Sequence, residues 1–298
     1  MLLILAGVTI ATLTGDNGLL TKAGNAKNMT LEAEGLERIQ LAVMASRDKN
    51  GVNTTSLAKN LSQINNLTDT NNQEILENTK IVLPKIINLN NVKYKIKKDG
   101  TVIINNSILP DEYEQVEYIE STGTQYIITD IIPNNSMGIY AKVSTDDAVN
   151  NSGIIGANGQ GNSRFFVSIK EETASYGWNN FIKTNLSVSP NVIYTIELNY
   201  YNSRVGLLNN EVAFTITDNL SSYATRPMYI FAVNWEGTTN GNSITKLYEL
   251  KLTEEATVKY NFVPCYNINS GVIGLYDTVN GQFYVNQGSG TFKKGNDV

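Results

Sequence analysis

The start of the chain combines an apolar run with a helical pattern of apolar and polar positions. Residues 2–13 are almost purely apolar and end before Thr14. A helix needs roughly 20 apolar residues to cross the hydrocarbon core of a membrane, so this run is short for a membrane span. From Leu19 to about Arg47, apolar residues recur every three to four positions. That spacing predicts a long amphipathic helix.

Two further patterns follow this helix. Leu57, Leu61 and Ile64 share one face of a short predicted helix. Alternation over residues 92–104, interrupted by an Asp-Gly turn, predicts a β-hairpin. Residues 25–108 therefore form a small predicted α+β unit, which ends where polar residues and a proline mark a boundary.

Beyond that boundary, short alternating segments replace the helical period, and turn residues separate many of them. Many regular short strands over residues 109–298 predict an antiparallel β-sandwich or jelly roll. The candidate strands are residues 125–129, 138–143, 164–169, 192–200, 204–208, 212–217, 228–235, 246–252, 258–263 and 274–276.

Composition excludes several kinds of chemistry. The 298 residues contain no histidine and one cysteine, Cys265, which excludes His-based catalytic triads, the usual zinc sites and an intrachain disulfide. The net charge of −5 argues against a nucleic-acid partner, because phosphate binding requires clustered Lys and Arg. Cys265 follows a proline in an apolar strand, so we expect it to be buried and inert. No cofactor is predicted.

The segment LLILAGVTIATLTGDNGLLTKAGNAKN and the glutamate-rich helix behind it resemble the N-terminal region of type IV pilin-like and pseudopilin-like proteins of Gram-positive gut bacteria. In such proteins an apolar helix anchors the subunit in the membrane and then packs in the core of a filament. The resemblance implies membrane contact at residues 2–13 and assembly with copies of the same chain. The implied assembly residues are Leu2, Leu3, Ile4, Leu5, Val8, Ile10 and Leu13.

The chain departs from that family at its start. The family's processing site should lie upstream of Leu2, and residue 5 is a leucine rather than an acidic residue. The alternatives for the apolar run are a truncated signal anchor and a buried core helix, since apolar runs of about 10 to 14 residues often belong to a core.

A second resemblance involves both ends of the β-rich part. The segments EYEQVEYIESTGTQYIITD (112–130) and NFVPCYNINSGVIGLYDTVNGQFYVNQGSGTF (261–292) resemble the paired terminal segments of concanavalin A-like, LamG-like jelly-roll modules. The resemblance implies a sandwich in which the first and last strands lie near each other. On this interpretation six aromatic side chains fill the sandwich and its strand pairs: Tyr113, Tyr118, Tyr126, Tyr276, Phe283 and Tyr284.

These patterns together predict the α+β class, with three parts in chain order. Residues 1–24 are the apolar N-terminal helix segment of a long N-terminal helix. Residues 25–108 form the pilin-like α+β unit, and residues 109–298 form the concanavalin A-like antiparallel β-sandwich.

The same sandwich fold occurs in glucanases, so hydrolysis has to be considered. A retaining glycosidase needs two carboxyl groups about 5 to 5.5 Å apart. No Glu-x-Asp-x-x-Glu pattern occurs on a candidate strand, and we therefore expect no enzymatic activity. Asp146 and Asp147, followed by Asn150 and Asn151, offer oxygen ligands without EF-hand spacing, so no metal site is predicted.

Sugar binding is the better match to the aromatic residues near strand ends. Sugars stack on aromatic rings while planar polar side chains pair with their hydroxyls. The predicted ligand contacts are therefore Tyr176, Trp178 and Trp235, and partly buried packing is the alternative for the two tryptophans.

The order of the parts leads to the functional hypothesis. We expect a cell-surface, extracellular filament subunit or membrane-anchored protein that displays a lectin-like sandwich for adhesion, with a glycan or host-surface ligand as partner. The alternatives are a soluble glycan-binding module and a phage structural or tail-associated protein.

Overall fold

The computed structural model describes residues 19–148, 150–159, 163–220 and 225–298. The chain divides into two compact units, one ending at Ser107 and the other comprising Ile108–Val298. The division into residues 1–24, 25–108 and 109–298 stays a prediction. The predicted membrane contact and all predicted assembly residues, from Leu2 to Leu13, lie outside the described residues.

The predicted α+β class, with its long apolar N-terminal helix, is wrong. Strands account for 46% of the described residues and helices for 13%. The described residues contain two α-helices, α1 (Leu19–Met44) and α2 (Thr54–Leu61), and neither is both long and apolar. Side chains 22–30 of α1 are exposed. One apolar run is a poor guide to the class of this chain, because strands outnumber helices among the described residues by more than three to one.

Membrane-spanning character is also absent from these helices. Within the described part of the chain, no helix is long and apolar enough to cross a membrane.

The first unit packs its two helices on a four-stranded antiparallel sheet. Buried side chains from both helices and the sheet, among them Ile39, Leu57 and Tyr94, form its core. The side-chain oxygen of Asn53 accepts hydrogen bonds from the backbone N–H groups of Thr55 and Ser56, which is the pattern of a helix N-cap. The strands of this unit are β1 (Arg47–Asp48), β2 (Gly51–Val52), β3 (Leu67–Asp69), β4 (Lys85–Leu89), β5 (Val92–Ile96) and β6 (Val102–Ile104).

The second unit is a β-sandwich of two sheets. Its strands are β7 (Tyr113–Gln115), β8 (Ile119–Thr122), β9 (Ile127–Ile128), β10 (Met137–Thr145), β11 (Ser152–Asn158), β12 (Arg164–Lys170), β13 (Thr173–Trp178), β14 (Asn180–Ser187), β15 (Tyr194–Leu198), β16 (Val205–Leu208), β17 (Glu211–Thr215), β18 (Tyr229–Ile230), β19 (Val233–Trp235), β20 (Thr238–Asn240), β21 (Ile244–Glu254), β22 (Thr257–Asn267), β23 (Ile273–Asp277), β24 (Gln282–Val285) and β25 (Lys293–Lys294). A short 3₁₀-helix, Tyr200–Asn202, follows β15.

The two sheets have different strand orders. In the described residues the larger sheet has eleven strands in the order β17-β16-β15-β10-β21-β22-β23-β24, with β7 beside β22 and β8 between β21 and β25. The smaller sheet has eight strands in the order β14-β13-β12-β11-β18-β9, with β19 beside β11 and β20 beside β19. Pairing is antiparallel in both sheets except between β11 and β19, which run parallel.

The core lies between the sheets and determines which side chains face outward. Phe165, Val167 and Ile169 of β12 belong to the same buried cluster as side chains of β10 and β21 in the larger sheet. Because successive side chains of a strand point to opposite faces, Arg164, Phe166, Ser168 and Lys170 lie on the outer face of the eight-stranded sheet. This outer face carries the candidate site.

Candidate ligand-binding cleft

A cleft of about 310 Å³ lies on the outer face of the eight-stranded sheet. We call it the β12 cleft, because strand β12 contributes the largest share of its lining. The lining residues are Asn151, Arg164, Phe166, Lys170, Phe181, Val233, Trp235 and Asn240. They combine three aromatic rings, two cations and two side-chain amides, and no carboxylate is among them.

Glycines on both neighbouring strands make room for Phe166. The register places Phe166 between Gly156 of β11 and Gly177 of β13. A Cβ atom on Gly156 would lie 2.1 Å from Cβ of Phe166, and one on Gly177 would lie 2.4 Å from its Cδ1. Either distance is a steric clash, so only glycine fits at both neighbours. Phe166 therefore forms the floor of the cleft, and the ring of Phe181 lies 6.2 Å from it between centroids.

A tight hairpin holds Trp235 at the wall. Trp235 ends β19, and the two residues that follow, Glu236 and Gly237, have positive φ values of 53° and 92° before β20 begins. Two consecutive positive φ values are typical of a two-residue hairpin loop. The side chain of Asn234 accepts a hydrogen bond from the Gly237 N–H at 2.8 Å. With its backbone fixed in this way, the Trp235 side chain is still 39% exposed.

Each cation of the cleft lies over one of its rings. The guanidinium carbon of Arg164 is 5.7 Å from the centroid of Trp235, and the Lys170 ammonium is 5.4 Å from that of Phe181. Both distances are in the range of cation–π attraction. The rings thereby position the two charges inside the cleft.

Among the described residues, Lys170 takes part in an ion pair and Arg164 does not. The Lys170 Nζ is 3.9 Å from Glu171 Oε1, and Glu171 also accepts a short hydrogen bond from Lys183. That hydrogen bond and the charge of Lys183 lower the pKa of Glu171, so its carboxylate stays ionised at neutral pH. No ion pair of the described residues involves Arg164.

Two buried polar atoms at the cleft lack a hydrogen-bond partner among the described residues. They are Oδ1 of Asn158 and Nε of Arg164. Asn158 is 2% exposed and pairs in register with Arg164 on one side and with Trp235 on the other. The three residues therefore form one row on the outer face across β12, β11 and β19. At the other end of the cleft, Asn151 donates to the side-chain oxygen of Asn240 at 3.1 Å.

The structure separates the three side chains that the sequence predicts as ligand contacts. Tyr176 and Trp178 lie in the core between the sheets. The Tyr176 hydroxyl donates to the Leu207 carbonyl at 2.6 Å, and the Trp178 indole N–H donates to the Asp218 carbonyl at 3.1 Å. Trp235 alone of the three lines the β12 cleft. The site proposed below therefore uses Trp235 and not the other two.

Sequence reasoning missed the remaining residues of the cleft. Arg164 and Lys170 occupy the outward positions of an alternating strand, and that alternation is the signal that could have found them. Phe181 is one residue into β14 and directly opposite Gly177, a pairing that requires the register.

The oxygen-rich stretch after β10 is used within the fold. The carboxylate of Asp147 accepts hydrogen bonds from the backbone N–H and the side-chain amide of Asn150. Within the described ranges, no three Asp, Glu or Cys side chains gather as a metal site would require. The expected lack of enzymatic activity stays a prediction.

Comparison with known proteins adds little to this picture. No protein-family model and no curated protein matches the chain. A solved structure of NanB with Optactamide is similar to 63% of this chain at 11% sequence identity and a TM-score of 0.38, and the match spans 38% of that structure's length. A likeness this remote carries no argument about function. No comparison supports the predicted pilin-like N-terminal region.

Proposed function

We propose that the second unit is a glycan-binding β-sandwich module and that the β12 cleft is its binding site. The observation that carries this proposal is Trp235, whose ring is 39% exposed at the wall of a cleft that also contains the 37% exposed ring of Phe181. Large aromatic side chains are usually buried, so two exposed rings in one concave site are stacking surfaces for a ligand.

The polar residues of the cleft complement these rings. A saccharide has apolar C–H faces, which stack on aromatic rings, and hydroxyl groups, which need donors and acceptors. The amides of Asn151 and Asn240 supply both at one end of the cleft, and Asn158, which pairs in register with Trp235, supplies an acceptor through Oδ1. A volume of about 310 Å³ is within the usual range for small-ligand sites.

A glycan array probed with the full-length chain tests the proposal. The wild type should bind a subset of glycans, and Trp235→Ala should weaken that binding at least about tenfold, the equivalent of about 1.4 kcal/mol. Thermal unfolding should stay close to that of the wild type, because the ring is exposed.

Tyr201→Ala is the matched control, since Tyr201 lies in the 3₁₀-helix, is 47% exposed and does not line the cleft. It should leave binding unchanged. Wild-type protein that binds no glycan, or Trp235→Ala protein that binds as the wild type does, would contradict the proposal.

Display at a cell surface for adhesion, with a host-surface glycan as partner, is the wider setting that we propose for this module. It is supported by the order of the segments in the sequence and is separate from the binding site. Filament assembly is not part of the proposal, because no comparison supports the pilin-like resemblance.

A further inference from the structure

We propose that the ligand of the β12 cleft is an acidic saccharide and that Arg164 binds its anionic group. This inference rests on the proposed function and specifies its substrate class. A carboxylate or a sulfate ester supplies the same chemistry, a compact group of oxygens with negative charge. The inference comes from the charges, the unpaired atoms and the register of the cleft.

The charges that line the cleft have one sign. Arg164 and Lys170 contribute two cations, and no carboxylate is among the lining residues. Glu236 lies in the turn after Trp235 and is not a lining residue. The Arg226 guanidinium is close to the same turn, since its Nη1 is 3.4 Å from the position that a Cβ on Gly237 would take. A neutral sugar gains little from such a site, whereas an anion is attracted to it. The sign of the charge therefore favours an acidic ligand.

Arg164 is the anchor rather than Lys170. Lys170 already has the carboxylate of Glu171 at 3.9 Å, whereas Arg164 has no ion pair among the described residues. The two residues are six positions apart on one strand, so their Cα atoms are separated by roughly 20 Å and a small anion contacts only one of them. A guanidinium also binds carboxylate or sulfate oxygens through two parallel hydrogen bonds, which an ammonium does not.

The surroundings of Arg164 fix its side chain for this role. Its backbone N–H and carbonyl both bond to Asn179, at 3.3 and 2.9 Å, so the strand position is fixed. Its guanidinium lies over the Trp235 ring at 5.7 Å, and its buried Nε has no partner among the described residues. Buried polar groups in native proteins almost always have a partner, so an unpaired donor that lines a cleft is available to a ligand bound there.

Asn158 supplies the second unpaired atom. Its buried Oδ1 is able to accept a hydrogen bond, but no donor among the described residues supplies one. It lies between Arg164 and Trp235 in the same row of the sheet. We assign to it a hydroxyl or amide N–H of the ligand, next to the anionic group. Along the row, Arg164 then binds the anionic group, Asn158 accepts a hydrogen bond from a ligand donor, and Trp235 stacks on a sugar ring.

An array of matched glycans tests the inference on the full-length chain. Each acidic glycan is paired with a neutral counterpart: galacturonate oligomers with their methyl esters, N-acetylneuraminyl lactose with lactose, and 3-sulfated lactose with lactose. Binding should be at least about tenfold stronger to acidic members, and should weaken as NaCl rises from about 50 to 500 mM. Comparing the binding of the carboxylated glycans with that of the sulfated lactose shows which anion is preferred.

Variants of Arg164 then test the anchor. Arg164→Gln should remove the preference for acidic members, and Arg164→Lys should retain part of it because the charge is kept. Lys259→Gln is the control, since Lys259 is exposed on β22 of the other sheet. Circular dichroism of each variant checks that the sandwich is folded.

The outcomes separate the two proposals. Equal binding of acidic and neutral members, or a preference for neutral ones, overturns this inference and leaves glycan binding standing. An undiminished acidic preference in folded Arg164→Gln also overturns it. Binding to no member at all overturns glycan binding itself, and the inference fails with it.

Discussion

The guanidinium of Arg164 lies over the ring of Trp235, although the two residues are on different strands and 71 positions apart (235 minus 164). Asn158 of β11 pairs with both, antiparallel to Arg164 and parallel to Trp235. The parallel pairing of β11 with β19 is what places a hairpin tip next to the outward side chains of β12. Regular hydrogen bonds across three strands therefore fix the geometry of this pair, as suits a preorganised site.

The buried tryptophan should affect stability, in contrast to the exposed one. Trp178 is 3% exposed, contacts Phe165 at 5.8 Å between ring centroids and donates to the Asp218 carbonyl. Trp178→Ala should lower the free energy of unfolding by about 3–5 kcal/mol, because it leaves a cavity and removes one of the two hydrogen bonds that the Asp218 carbonyl accepts, the other coming from Arg204. Denaturant unfolding followed by circular dichroism measures this change.

A conservative variant retains an aromatic ring at position 178. Trp178→Phe keeps most of the ring and loses the N–H, so its cost should be smaller than that of Trp178→Ala. A Trp178→Ala protein as stable as the wild type would contradict the packing described for this residue.

The comparison of Trp178 with Trp235 shows how far the sequence could predict the site. Alternation predicts a strand over residues 164–169, which is β12, but the sequence predicts no strand over β13. In the structure Tyr176 and Trp178 lie on one face of β13 because they are two residues apart. Which face is the core depends on the partner sheet, and no local signal carries that information. In the structure Tyr176 and Trp178 are near the end of β13, but their face of the strand packs on β15, β16 and β17 of the larger sheet and on the loop after β17.

The cleft and the fold class were harder to predict for the same reason. Pairing of β19 with β11 joins segments far apart in the chain, so the contact of Arg164 with Trp235 has no counterpart in local sequence. The fold class was misjudged because the most conspicuous pattern, the apolar run and the helix after it, is only a small part of the chain. Short strands are individually weak signals but together make up the sandwich.

The floor of the cleft should be sensitive to a single added methyl group. In Gly177→Ala the new Cβ would meet Phe166 Cδ1 at 2.4 Å. Space is also tight on the β11 side, where a Cβ on Gly156 would lie 2.1 Å from Cβ of Phe166. We expect a loss of about 1–3 kcal/mol in unfolding free energy and weaker glycan binding as the ring is displaced. Thermal unfolding and titration of the array ligand measure the two effects.

Ser175→Ala is a matched control for Gly177→Ala. Ser175 lies two residues earlier on the same face of β13, and its buried Oγ has no partner among the described residues. Removing that hydroxyl should leave stability unchanged or raise it, since an unpaired buried polar group is unfavourable. If Gly177→Ala were as stable as Ser175→Ala, the close packing of Phe166 on Gly177 would be disproved.

The carboxylate beside Lys170 should limit how strongly the cleft attracts an anion. Glu171 is exposed, and its pKa is lowered chiefly by the hydrogen bond from Lys183. It therefore carries a negative charge at neutral pH and loses that charge only as the pH falls through the lowered pKa. Glu171→Gln removes this charge at every pH and leaves Lys170 and Lys183 without their carboxylate partner.

At neutral pH and low salt, Glu171→Gln should therefore bind an acidic saccharide about two- to fivefold more tightly than the wild type. This gain in affinity should shrink at high salt, because salt screens the field of exposed charges. In the wild type, acidification should produce the same gain for a sulfated ligand, which stays ionised while Glu171 is protonated. Glu255→Gln, an exposed carboxylate at the β21–β22 turn of the other sheet, should change neither quantity. Isothermal titration calorimetry at two salt concentrations measures the affinity of the wild type and the variant for the acidic saccharide. Weaker binding by Glu171→Gln would show that Glu171 stabilises the cleft rather than repelling its ligand.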